Sequence, residues 1–219
     1  MNEVANSNSP LQAFFNESIS EIKIFQSCEV SALKEPIKVK EDDSCIFDLS
    51  CLKKIAVVGK EARIVVEKYF EISPINLFQW TSVGSGGLIC LAKDKIVLVN
   101  SYDGSLIDGF TNAIPSDPEK HIVQRADYSE IALSGPLVSA ILGELVPVPS
   151  SAWSQTGLLC SSLAGANVIL RKVNNQPNHL RCIIQPADTH YVLKAIMEIN
   201  RELDGHLGCI FSYLNTFQP

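Results

Sequence analysis

Apolar and polar positions along the chain spell one pattern twice. "CLKKIAVVG" (51–59) is a β-branched run that ends at Gly59, and Ala62, Val65, Val66 and Tyr69 follow at i, i+3, i+4 and i+7. That spacing predicts a helix with one buried face. Further on, Gly135 and Pro136 end a second apolar run, and Val138, Ile141, Leu142 and Leu145 repeat the helical spacing. Pro136 suits the first turn of a helix, where its missing N–H leaves no bond unmade. Both glycines read as tight strand-to-helix hinges, a role that exploits their freedom of φ.

The echo continues past the helices. "QWTSVGSGGLICLAKDKIVLVN" (79–100) is answered by "AWSQTGLLCSSLAGANVILRKV" (152–173), so that Trp80 matches Trp153 and "GLIC" (87–90) matches "GLLC" (157–160). Each copy predicts a hairpin, turning at Lys93-Asp94 in one and Gly165-Ala166 in the other. An extra strand at 180–186 precedes the last helix, with 95–100 as its candidate counterpart, so the two copies are not expected to correspond strand for strand. A helix is expected around Asp103 to Ala113. Another is expected after Asp188 as N-cap, with Val192, Ala195, Ile196, Ile199 and Leu203 as its buried stripe. "GCIFSYL" (208–214) reads as a short strand, and alternation predicts strands at 21–27 and 35–40.

The expected architecture is α+β: two small ferredoxin-like halves from an internal duplication, with mainly antiparallel sheets and helices on one face. The expected organisation is a flexible N-terminus (1–20), a first half (21–118) and a second half (119–219). The polar segment "IPSDPEKHIVQ" (114–124) forms the link between the halves.

Composition narrows the partners. A net charge of −6 argues against a nucleic-acid binder, which needs a basic stripe. The first ten residues lack a signal-peptide pattern, and no apolar run reaches the roughly 20 residues that span a bilayer. Seven scattered cysteines, mostly within apolar runs, fit reduced thiols and a cytoplasmic location.

Candidate chemistry is sparse. The glycine-rich "VGSGG" (83–87) precedes a strand instead of a helix and lacks the Lys-Ser/Thr ending of a phosphate loop. "HLRC" (179–182) and "HLGC" (206–209) repeat a His-x-x-Cys spacing, but positions three apart in a strand face opposite sides, so His179 and Cys182 do not converge on a metal. "LSGP" (133–136) is not a nucleophile elbow. The acidic pairs Asp42-Asp43 and Asp103/Asp108 read as solvated.

"CIFDLSCLKKIAVVGKEA" (45–62) resembles a signature of the glycine-cleavage T-protein (aminomethyltransferase) superfamily, through Phe47, Asp48, Ser50, Gly59 and Ala62. "SEIALSGPLVSAILGEL" (129–145) resembles that family's second signature, in which "LxGP" opens a helix. The departures fall on chemistry. Uncharged Leu88 to Leu91 follow Gly86-Gly87 where catalytic T-proteins carry acids, and "KVNNQPNHLRC" follows Arg171 where they carry the folate-binding Thr-Gly-Glu loop. At this length a C-terminal barrel like theirs is not expected. In length and motifs it is most similar to the gamma subunit of heterotetrameric sarcosine oxidases.

That resemblance implies a small, non-catalytic subunit of a flavin-dependent sarcosine or N-methyl amine oxidase, packed against larger flavoprotein subunits. No catalytic residue and no cofactor of its own is expected, with FAD or FMN and tetrahydrofolate assigned to partner subunits. Asp48 and Arg171 are the candidate ligand-binding residues. Two alternatives stay open: a stand-alone tetrahydrofolate-binding or aminomethyl-transfer protein, in which Asp48 or Asp108 supplies the acid, and an interaction module that uses a sheet edge.

Overall fold

The computed structural model describes residues 10–11, 20–26, 28–33, 39–40, 42–153, 157–173 and 178–217. Chain order begins with strands β1 (Ser20–Phe25), β2 (Cys28–Leu33), β3 (Cys45–Asp48) and β4 (Lys54–Val58), then helix α1 (Ala62–Phe70). Next come β5 (Trp80–Val83), β6 (Gly86–Ala92), β7 (Lys95–Val99), α2 (Ser105–Ala113), β8 (Ile122–Arg125), β9 (Ser129–Ser134) and α3 (Pro136–Glu144). The chain ends with β10 (Leu158–Leu163), β11 (Ala166–Lys172), β12 (His179–Ile184), α4 (Thr189–Glu202), β13 (His206–Gly208) and α5 (Ile210–Phe217).

These elements fall into two compact units. One takes the described residues of 52–127 and 151–159 and holds a five-stranded antiparallel sheet in the order β5-β6-β7-β4-β8. Its core is the sheet face bearing Ile55, Val57, Leu88, Cys90, Ile96 and Leu98, closed by Ala62 and Val66 of α1 and Ile107 and Phe110 of α2. Phe110 stacks on Phe70 at 5.7 Å and meets the edge of Tyr69 at 5.1 Å, which ties the two helices together.

The other unit takes the described residues of 1–51, 128–150 and 160–219, with a six-stranded sheet in the order β10-β11-β12-β9-β3-β13. β11–β12, β12–β9 and β9–β3 are antiparallel, and β13 runs parallel to β3. A separate β1–β2 hairpin belongs to the same unit. The expected boundary at 118/119 falls inside the five-stranded unit, because residues 122–125 form β8 and pair with β4. Residues 45–48, expected in the first half, instead add β3 to β9 of the other unit.

In sequence, β9, α3, β10, β11, β12 and α4 follow one another as β4, α1, β5, β6, β7 and α2 do, and the two sheet orders match strand for strand up to β9 and β4. By this matching 95–100 and 180–186 correspond through β7 and β12, and the expectation that the copies would not correspond strand for strand is corrected over these elements. The "GLIC"/"GLLC" echo, however, is displaced by one strand: the first lies in β6, whereas the second runs into β10, which holds the place of β5. A buried strand of large aliphatics has a generic spelling, so the likeness does not fix which strand answers which.

Gly59 has φ of +135° and Gly135 of +65°, consistent with the hinge reading. A Cβ on Gly59 would come within 2.8 Å of the His121 Cα, and one on Gly135 within 2.5 Å of the Asp42 carbonyl oxygen. Pro136 occupies the first turn of α3 as expected.

Four local expectations change. Residues 210–217 form α5, not a strand, because the helical turn brings both Tyr213 and Phe217 onto Phe47. Asp188 makes no side-chain cap bond to α4, since a 3-10 turn over Pro186–Asp188 leads into the helix with Asp188 already in helical conformation. Leu203 terminates α4 and is 38% exposed, while Val192, Leu193, Ile196 and Met197 are buried. The second hairpin turns at Ala164-Gly165, where both φ values are positive, one residue before the expected place. The expected strand 35–40 lies largely outside the described residues, as does most of the expected N-terminal segment 1–20.

Candidate functional site

In the six-stranded unit the sheet register decides what each candidate residue can reach. Phe47, Ala132, Arg181 and Arg171 lie directly opposite one another across β3, β9, β12 and β11. Asp48, Ile131, Cys182 and Leu170 form the next row. Successive residues of a strand face opposite sides, so Asp48 and Arg171 sit on different faces of one sheet. The structure does not bring this pair together. Asp48 is buried and its Oδ1 accepts a hydrogen bond of 2.9 Å from the Ser50 N–H.

On the Arg171 face lies a buried polar layer that the motifs do not reveal. Glu130 of β9 and Arg181 of β12 form an ion pair with side chains only 2% and 4% exposed. Charges withdrawn from water this far hold only when paired, and the diagonal register of the two strands sets that pairing. His179, two residues before Arg181 on β12, is buried on the same face and stacks on Phe217 at 4.3 Å. Tyr213 tilts against both His179 and Phe217, so α5 roofs this end of the layer with aromatic rings.

Burial holds the His179 imidazole neutral, and the positive Arg181 and Arg171 push the same way, lowering its pKa to about 3. Burial likewise raises the Cys182 thiol, helped by the Glu130 charge, and makes it a poor nucleophile. The sequence signal for this layer is the polar alternation His179, Arg181 in an otherwise apolar strand, facing an acid inside the apolar run of β9.

The five-stranded unit carries a cleft of about 440 Å³, bordered by Tyr69, Phe70 and Glu71 on one side and Ser101, Asp103 and Ser105 on the other, with Gly84 and Ser85 at its rim. The polar groups here serve α2. Asp103 Oδ1 accepts from the Ser101 hydroxyl and from the Ser105 N–H (3.0 Å) and hydroxyl (2.8 Å), bonds that lower its pKa to about 2. The Leu106 N–H is taken by Ser101 Oγ and the Ile107 N–H by Asn100 Oδ1, so the N-terminal donors of α2 are engaged within the protein.

Gly86 and Gly87 of the glycine-rich stretch, expected to precede a strand, are themselves the first residues of β6. A Cβ on Gly86 would press on the Val99 carbonyl oxygen, and one on Gly87 on the Trp80 ring. Close packing therefore accounts for that pair.

Among the described residues no three of His, Cys, Asp or Glu gather in a way that could hold a metal ion. All seven cysteines are free thiols. Asp48 and Glu130 are the buried carboxylates among the described residues. Asp48 Oδ1 accepts from the Ser50 N–H, and Glu130 Oε1 pairs with Arg181. Among the described residues no helix is long and apolar enough to cross a membrane.

No family model matches the sequence, and no curated protein matches it. Solved structures do. A chain of the heterotetrameric sarcosine oxidase from Corynebacterium sp. U-96, in complex with pyrrole 2-carboxylate, superposes with a TM-score of 0.60 at 15% identity, over 76% of this chain and 88% of that one. The glycine cleavage system aminomethyltransferase T from Bartonella henselae gives 0.63 at 15% identity, over 92% of this chain and 58% of that one. The chain thus spans little more than half the length of the aminomethyltransferase. Its fold is the T-protein fold that these two proteins share.

Proposed function

We propose that the chain is a non-catalytic, T-protein-like subunit of a hetero-oligomeric, flavin-dependent oxidase of sarcosine or another N-methyl amine. The observation that carries this reading is a T-protein fold in which the buried carboxylates among the described residues, Asp48 and Glu130, each engage an internal partner. A transfer or oxidation site needs a carboxylate or base free to meet substrate. The sarcosine oxidase chain supports the reading further, since the mutual coverage of 76% and 88% implies two chains of similar length. On this reading the flavin and the folate belong to larger partner subunits.

The common succession of elements and the matched sheet order support an internal duplication of a ferredoxin-like half. On this reading the chain does without the acids that catalytic T-proteins carry after Gly86-Gly87 and after Arg171. Calorimetry of the isolated chain with tetrahydrofolate separates this reading from a stand-alone folate-binding protein. The subunit reading predicts no appreciable heat; stoichiometric binding that Asp48→Asn or Arg171→Ala abolishes would favour the alternative.

A further inference from the structure

We draw no further inference here: the strongest candidate, the cleft of the five-stranded unit between Tyr69–Glu71 and the start of α2, carries nothing because its polar groups at Ser101, Asp103 and Ser105 are those that cap that helix and no second observation points to a ligand.

Discussion

Gly59 and Gly135 make the same set of bonds, each within its own unit. The Gly59 N–H is donated to the Asp94 carbonyl and the Gly135 N–H to the Asn178 carbonyl, both at 2.9 Å, just ahead of β7 and β12 respectively. Each glycine carbonyl then accepts from the residue three further on, Ala62 at 3.0 Å and Val138 at 3.1 Å, which opens α1 and α3. Both positive φ values and the crowded Cβ positions forbid a side chain. Gly59→Ala and Gly135→Ala are each expected to cost about 3 kcal/mol, read as a lower urea midpoint, whereas Gly143→Ala, with open space around it in α3, should be neutral or stabilising. Equal tolerance at all three positions would refute the hinge role.

The Glu130–Arg181 pair should respond asymmetrically to mutation. Glu130→Gln strands a buried guanidinium and is expected to cost about 3–5 kcal/mol. Glu130→Leu combined with Arg181→Leu removes both charges and should cost less than either single change. A double-mutant cycle by chemical denaturation checks this, and additive losses would show that the pair is not coupled.

His179 imposes a pH dependence whose sign follows from its lowered pKa. The unfolded imidazole takes a proton near pH 6.5 and the folded one only near 3, so within that window the unfolded state binds the extra proton. The stability tied to neutral His179 is complete above about pH 6.5 and is lost as pH falls towards 3, at up to about 1.4 kcal/mol per pH unit. Denaturation at several pH values should show a shallower acid loss for His179→Phe, which keeps a ring against Phe217. An unchanged slope would mean that other groups carry the dependence.

In the five-stranded unit Asn100 links the end of β7 to α2. Its Oδ1 accepts from the Ser101 and Ile107 N–H groups, both at 3.0 Å, in a buried setting. Asn100→Ala leaves two donors unmet and is expected to cost about 2 kcal/mol, with faster hydrogen exchange across α2. Unaltered exchange there would contradict the capping role.

Elements held by local pattern were the legible ones. α1 and α3 follow from apolar spacing after a hinge glycine, and the β6–β7 hairpin from two aliphatic runs about a polar turn. α5 was hidden because Ile210, Phe211 and Tyr213 favour strands locally, and the deciding contacts to Phe47 and His179 come from distant segments. The division of the chain was hidden for the same reason: β3 reaches past β4 to β8 to pair with β9. Asp48 and Arg171 carry suitable chemistry for a ligand, but only the register shows that they face opposite sides. The Glu130–Arg181 pair joins two strands separated by α3, β10 and β11, so no motif could display it.

The central claim is that this T-protein fold serves as a partner-bound, non-catalytic subunit. Its most direct test is affinity purification of the tagged full chain from its native cells, followed by size exclusion with flavin absorbance and mass recorded together. The account predicts that the chain elutes in a complex with larger polypeptides carrying the flavin spectrum, and that the complex oxidises sarcosine or another N-methyl amine. Elution of the chain without those polypeptides, with no flavin in its fractions, would contradict it.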